Sequence, residues 1–138
     1  MKRIRQLLIG CVVLALATLP MGCKKHELRE RGDALNYSIQ VYGSMVRWGE
    51  WPDAAAYHKP REGEPVLPDF KRLDGIRVTD YKILGSVGNP DSGEAVVETR
   101  IDYHLEFDNR VRTLHQRQQW YYSDEDERWW LESPFPDF

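Results

Sequence analysis

The sequence predicts an α+β domain in which N-terminal helices pack on one face of a curved antiparallel sheet of about four strands. Three observations support this fold class. Apolar residues recur at helical spacing between residues 28 and 48, whereas the apolar period after residue 75 is two residues, as in strands. Clusters of glycine, proline, asparagine and aspartate separate the strand-like segments. The chain has 138 residues, 41% of them hydrophobic, which predicts one folded domain over residues 32–138.

The first 22 residues have the composition of a secretory signal peptide. Lys2, Arg3 and Arg5 precede an apolar run of 13 residues, from Leu7 to Leu19. That run is too short to span a bilayer core, which needs about 20 residues. Without these three cations, 16 of the 19 basic residues remain against 22 acidic ones, a formal charge of −6. So acidic a domain is not expected to bind nucleic acid.

The signal ends in Leu19-Pro20-Met21-Gly22-Cys23, which resembles the lipobox of bacterial lipoproteins. The resemblance implies that the Cys23 sulfur receives a diacylglycerol and that the amine freed by cleavage is acylated, for example with palmitate. Lys24 after the cysteine implies sorting to the outer membrane. The alternative is an ordinary secreted protein with a free thiol at its new N-terminus. The other cysteine, Cys11, lies within the apolar run, so cleavage leaves no partner for an intrachain disulfide.

Two helices and one further helical turn are predicted before residue 75. Residues 23–31 are strongly charged, which predicts a solvated tether or a frayed first turn. The first helix runs from about Leu28 to Trp48, and Gly49 suits its C-terminal end. A short second helix is expected over Trp51–His58, and one more turn over residues 69–73. The stripe that predicts the first helix is Leu35, Ile39, Tyr42 and Val46.

Four strands are predicted in the second half of the chain. The second of them alternates cleanly, with apolar side chains on one face and charged side chains on the other. Asp108-Asn109 is predicted to form a two-residue hairpin turn, because both residues tolerate positive φ. The predicted strands are Ile76–Val87, Ala95–Phe107, Arg110–Tyr122 and Arg128–Ser133.

Three segments resemble the nuclear transport factor 2 superfamily, a cone-shaped α+β fold that includes ketosteroid isomerase. They are Val46-Arg47-Trp48-Gly49-Glu50-Trp51, Ala54-Ala55-Ala56-Tyr57 and Arg128-Trp129-Trp130-Leu131. The resemblance covers residues 30–135 and implies helices that cover a curved sheet. That superfamily hosts hydrolases, isomerases and binding domains, so the fold does not settle a function. No catalytic motif of its enzyme members matches, and no catalytic residue is transferred.

The charged face of the second and third strands is one candidate site. A turn at Asp108-Asn109 would place Asp102 opposite His115 and Arg100 opposite Arg117. This arrangement allows an acid–base pair beside an anion site, a solvated face of offsetting charges, or a docking surface. The four histidines show no metal-ligand spacing, so neither a metal nor a cofactor is expected. The candidate surface cluster is Glu98, Arg100, Asp102, His104, His115 and Arg117.

Seven aromatic residues are predicted to line the space between helices and sheet. They either fill the core or surround a pocket for an apolar ligand. On a strand, only one of two adjacent tryptophans can face inward, and the other contacts a neighbouring strand or a partner. The seven residues are Tyr42, Trp48, Trp51, Tyr57, Trp120, Trp129 and Trp130.

Together these features predict a lipid-anchored periplasmic protein without catalytic activity, which associates with an envelope protein or serves envelope assembly. A pocket that binds or isomerises a small apolar ligand is one alternative. An acid–base enzyme built on Asp102 and His115 is another.

Overall fold

A computed structural model describes residues 21–138 and confirms the α+β class. The predicted signal peptide, apart from its last two residues, lies outside the described residues. A long helix packs against a four-stranded antiparallel sheet in the order β1-β2-β3-β4. The elements are α1 (Met21–Trp48), α2 (Trp51–Ala55), α3 (Phe70–Leu73), β1 (Ile76–Asn89), β2 (Glu94–Leu105), β3 (Asp108–Ser123) and β4 (Arg128–Leu131).

Helix α1 has the predicted apolar stripe and the predicted end. Leu35, Ile39, Tyr42 and Val46 are all buried. The helix ends in a Schellman motif in which the Gly49 amide donates to the Val46 carbonyl at 3.2 Å. The following amide, of Glu50, donates to the Met45 carbonyl at 2.9 Å. The motif needs a left-handed residue, and Gly49 supplies a φ of 71°.

The predicted tether at residues 23–31 is instead the exposed first part of α1. Arg31 pairs with Glu27 one turn earlier at 2.7 Å, so the charges of this segment stabilise the helix. Arg31 also reaches Asp124, which lies beyond β3, at 2.7 Å. The Arg31 carbonyl accepts a hydrogen bond from the Trp129 indole N–H at 2.8 Å. The domain therefore includes residues on the N-terminal side of the predicted boundary at residue 32.

Helix α2 stops at Ala55, three residues before its predicted end at His58. The chain beyond it forms a short parallel bridge with β4. The Lys59 amide donates to the Leu131 carbonyl at 3.0 Å, and the Leu131 amide donates to the Tyr57 carbonyl at 2.9 Å. These bonds occupy both backbone groups of Leu131 at the end of β4, and they form because the chain leaves the helix after Ala55 and turns at Ala56-Tyr57.

The predicted register of the β2–β3 hairpin is wrong by two residues. The turn is Glu106-Phe107, and Asp108 already belongs to β3. The Asp108 side chain accepts from the Arg110 amide at 3.0 Å and from the Arg112 guanidinium at 2.7 Å. These bonds favour Asp108 within the strand. A shift of two residues leaves every side chain on its predicted face but changes its neighbour across the strands.

The core lies between α1 and the concave face of the sheet. Trp120 and Trp129 are fully buried there, as are Ile101 and Leu131. Trp129 and Trp130 point to opposite faces, as the alternation on a strand predicts. Within residues 21–138, no helix combines the length and apolar character needed to cross a bilayer.

Candidate functional site

The candidate surface cluster lies on the outer face of the sheet, but its members do not pair as predicted. Asp102 is opposite Thr113, whose hydroxyl donates to Asp102 Oδ1 at 2.7 Å. His115 is opposite Arg100, and Arg117 is opposite Glu98. Among the hydrogen bonds of residues 21–138, none joins Asp102 to His115. The predicted acid–base pair is therefore wrong, because its geometry depended on the wrong hairpin register.

The arginines of the cluster are neutralised by neighbouring carboxylates. Arg100 Nη2 lies 3.1 Å from Asp102 Oδ2 and 3.5 Å from Asp80 Oδ2. Arg117 lies 3.3 Å from Glu98. Opposite charges paired in this way stabilise a solvent-exposed face of a sheet. They leave no concentrated positive charge in this cluster to bind an anion.

The sixth member, His104, sits near the hairpin turn. Its Nδ1 lies 3.0 Å from the Leu105 carbonyl of the same strand. This is a local contact with the backbone of the next residue.

Most of the seven aromatic residues pack into the interior. The Tyr42 and Trp120 rings meet edge to face with centroids 5.8 Å apart, and Tyr57 lies 6.1 Å from Trp120. Trp51 packs against Phe138 at 5.5 Å. The contacts of Trp120 with Tyr42 and Tyr57 are edge to face, which is a favourable packing of aromatic rings in a filled core.

Two of the seven lie outside the space between helices and sheet. Trp48 is 71% exposed at the end of α1, so its predicted position in that space is wrong. Trp130 is half-buried on the outer face of β4, where it contacts charged side chains.

His58 is largely buried and takes part in a hydrogen-bonded chain with Tyr42. His58 Nδ1 lies 2.7 Å from the Ser133 carbonyl, and Nε2 lies 3.0 Å from the Tyr42 hydroxyl. A carbonyl only accepts, so Nδ1 carries the proton and Nε2 of the neutral ring accepts from Tyr42. Burial lowers the pKa of His58, and burial raises the pKa of Tyr42 well above its usual value. No periodic signal in the sequence points to this burial, because it depends on the C-terminal segment.

A second polar network lies on the inner face of the sheet around Gln118, which is fully buried. Its Nε2 donates to the Tyr81 hydroxyl and to Gln116 Oε1, each at 3.0 Å. Its Oε1 accepts from the Trp120 indole at 3.3 Å. Burial raises the pKa of Tyr81 to about 12, against the opposing hydrogen bond from Gln118. Both the donor and the acceptor of the amide are thus satisfied within the protein, as expected of a structural network.

Trp130 and Tyr121 form the centre of a strip of cations and aromatic rings on the outer surface. The Arg128 guanidinium lies 4.0 Å from the Trp130 ring centroid, and Lys59 Nζ lies 5.0 Å from it. Arg61 lies 4.7 Å from the Tyr121 centroid. We call Lys59, Arg61, Tyr121, Arg128 and Trp130 the outer strip. Tryptophan, tyrosine and arginine are the residues most enriched at binding hot spots.

Carboxylates hold the outer strip in place. Asp126 accepts from the Trp130 indole at 2.8 Å and from Lys59 at 2.6 Å. The hydrogen bond from Lys59, followed by that from Trp130, lowers the pKa of Asp126. Arg61 pairs with Glu94 at 2.7 Å. The Trp130 ring and the Lys59 and Arg61 cations are thereby oriented in advance of any contact.

Several grooves open at the surface. One, of about 460 Å³, lies between the end of α1 and the start of β1 and includes Arg47, Trp48 and Arg77. A groove of about 210 Å³ adjoins it and shares Arg47 and Trp48. Another, of about 190 Å³, lies between His58 and Phe135. Residues 21–138 contain no group of histidine, cysteine and carboxylate side chains arranged to hold a metal ion.

Cys23 is exposed and unpaired in the first turn of α1. The only described cysteine thus lies far from the core, at the end of the helix that leads into the predicted signal.

Comparison with models of protein families, with curated proteins and with solved structures finds no match for this chain.

Proposed function

We propose that this chain is a lipid-anchored protein of the bacterial envelope, exposed to the periplasm, whose folded domain binds another protein and performs no catalysis. The outer membrane is its expected location, and its partner is expected to be an envelope protein.

The position of Cys23 supports the anchor. The residue follows the predicted signal and lies on a charged, exposed part of α1 that makes few contacts with the core. Acyl chains attached there would enter a membrane without disturbing the fold. More than one chain, at about 0.8 kcal/mol per buried methylene, gives durable anchoring.

The observation that carries the binding role is the contrast between interior and surface. The interior is occupied by aromatic side chains, of which Tyr42, Trp120 and Trp129 are fully buried. The outer strip instead presents oriented aromatic rings and cations at the surface. This contrast favours association with a protein over the alternative of a small apolar ligand inside the domain.

Serine substitution of the two cysteines tests the anchor. Cys23→Ser is expected to accumulate unprocessed or to move from the membrane to the periplasmic fraction. Cys11→Ser is the matched control and is expected to fractionate like the unmodified protein. Mass spectrometry of the native protein is expected to show acyl chains on residue 23, and a bare thiol there contradicts the anchor.

Site-specific photo-crosslinking in intact cells tests the binding role. A photoreactive residue at Gln119, on the outer face beside the strip, is expected to give a discrete adduct. The same residue at Phe107, 86% exposed in the β2–β3 turn at the other end of β3 from Tyr121, is the control and is expected to give none. Equal labelling at both positions would contradict a specific contact surface.

A further inference from the structure

We propose that the groove between α1 and the free edge of β1 binds an extended acidic segment of a partner protein, which adds to the sheet as a fifth strand. This inference rests on the proposed role in protein association, and it identifies the kind of segment that is bound.

The two edges of the sheet differ. Strand order places β1 and β4 at the ends of the sheet. The backbone of residues 57–59 pairs with Leu131, the last of the four residues of β4. Strand β1 is 14 residues long and, within residues 21–138, pairs only with β2, with register shifts between Val78 and Asp80 and between Ile83 and Gly85. Long exposed edges are sites where another strand can pair, and proteins normally protect them.

One hydrogen bond shows that backbone groups of β1 face the groove. Arg47 Nη1 donates to the Val78 carbonyl at 2.6 Å. The arginine supplies the kind of N–H that a neighbouring strand would offer at this position. At least one carbonyl of this edge therefore faces the groove, and Arg47 occupies it in this structure.

The groove has room for a polypeptide. Its two adjoining parts have volumes of about 460 and 210 Å³. The α1 wall is formed by Gln40, Gly43, Ser44 and Arg47, which share one helical face. Gly43 marks the point where α1 comes closest to β1, because a Cβ atom there would lie 2.7 Å from the Tyr81 ring.

The side chains that line the groove favour an acidic occupant. Arg47 and Arg77 line it together with one carboxylate, Asp74, and Arg77 also pairs with Glu106 at 3.1 Å. Among the salt bridges of residues 21–138 none involves Arg47, so Arg47 is the cation left for an acidic occupant. Arg47 uses one of its five N–H groups in the described hydrogen bonds, so the others are available to a carboxylate. Trp48, 71% exposed beside Arg47, offers an aromatic surface to an apolar side chain. Alternating acidic and apolar residues match this lining.

The groove also lies at the end of α1 opposite to the proposed anchor. Trp48 follows Cys23 by 25 residues on one continuous helix, which separates them by about 38 Å at about 1.5 Å per residue. An anchored domain would thus present the groove away from the membrane surface.

Peptide binding to the full-length protein in detergent micelles tests the proposal. The probe is a fluorescein-labelled decapeptide in which glutamate and valine alternate, and the control peptide alternates lysine and valine. Fluorescence anisotropy is expected to give a Kd at least tenfold lower for the acidic peptide. Arg47→Glu and Trp48→Ala are each expected to raise that Kd at least fivefold. Their matched controls, Arg29→Glu and Tyr37→Ala on the exposed surface of the same helix, are expected to leave it unchanged.

Hydrogen exchange measured by mass spectrometry identifies the mode of binding. Bound acidic peptide is expected to slow exchange in residues 76–83 and to leave β4 unchanged. Equal affinity for the two peptides, or slowed exchange only at the outer strip, overturns the proposal. A dimer that Arg47→Glu dissociates, with the same protection of residues 76–83, also overturns it by assigning the edge to a second copy.

The two proposals fail separately. Retention of Cys23→Ser in the membrane would refute the lipid anchor and leave peptide binding in detergent intact. Absence of peptide binding, with normal fractionation and a crosslink at Gln119, would refute the groove alone.

Discussion

Removing one hydroxyl group tests whether neutral His58 accepts a hydrogen bond from Tyr42. Tyr42→Phe retains the ring, which packs against Trp120 and Tyr57 at 5.8 and 6.0 Å, and deletes the donor to His58 Nε2. The substitution leaves a largely buried nitrogen without its partner. An unsatisfied buried group costs about 1–3 kcal/mol. Because His58 is not completely enclosed, we expect a loss of about 1–2 kcal/mol, in the lower part of that range.

Urea denaturation of the full-length protein, followed by tryptophan fluorescence, measures this loss. The midpoint is expected to fall while the slope with urea stays constant, since the surface exposed on unfolding does not change. Thermal denaturation is expected to show a drop of about 4 °C per kcal/mol for a domain of this size. Tyr37→Phe on the exposed side of α1 is the control, expected within about 0.5 kcal/mol of the unmodified protein. A change that small in Tyr42→Phe would refute the assignment of the Nδ1–H tautomer and the acceptor role of Nε2.

Three further predictions follow from burial and backbone geometry. Burial lowers the pKa of His58 below 6.5, so the unfolded chain binds more protons than the folded one. The contribution of neutral His58 to the free energy of unfolding is fully present above about pH 6.5 and is lost as the pH falls through the lowered pKa. When the free energy of unfolding is measured over a pH series, its dependence on pH is expected to be weaker in His58→Gln than in the unmodified protein. In urea denaturation, Trp129→Ala is expected to lower the free energy of unfolding by about 3–5 kcal/mol, because the ring is fully buried. Trp130→Ala, on the outer face, is expected to lower it by less than about 1 kcal/mol. Similar losses would contradict the inward and outward assignment. Gly49→Ala is expected to lower the free energy of unfolding by about 1–2 kcal/mol, because alanine is strained at the Gly49 φ of 71°. Gly85→Ala is the control, since a Cβ atom at position 85 would have no neighbour within 4 Å. An unchanged Gly49→Ala variant would show that the Schellman motif does not need a left-handed glycine.

The lipid anchor and the binding role address different parts of the chain. The anchor depends on the sequence around Cys23, and the binding role depends on surfaces formed by the folded domain. The outer strip and the α1–β1 groove lie on different elements, so variants at Trp130 and Trp48 separate their contributions.

Local patterns in the sequence were sufficient for the fold class and for the faces of the main elements. The apolar stripe of α1 and the alternation of β2 follow from the repeat of the backbone, which brings residues of one type to one side. The opposite orientations of Trp129 and Trp130 follow for the same reason. Gly49 marked the end of α1 because a left-handed turn there favours glycine.

Contacts between distant segments determined the features that the sequence did not reveal. The β2–β3 register depends on pairing along both strands, from Glu94 opposite Tyr121 to Leu105 opposite Asp108, which places the turn at Glu106-Phe107. The burial of His58 depends on Ser133, 75 residues later in the chain.

Amino-acid order by itself therefore determined which side of each helix and strand is apolar, and it marked the segment expected to direct export. Four features emerged only in the folded molecule: the strand register, the pairing of residues 57–59 with β4, the exposure of Trp48 and the groove beside β1. The physical reason is that side-chain periodicity is a property of one segment. Pairing and burial, by contrast, depend on hydrogen bonds between segments that are far apart in the chain.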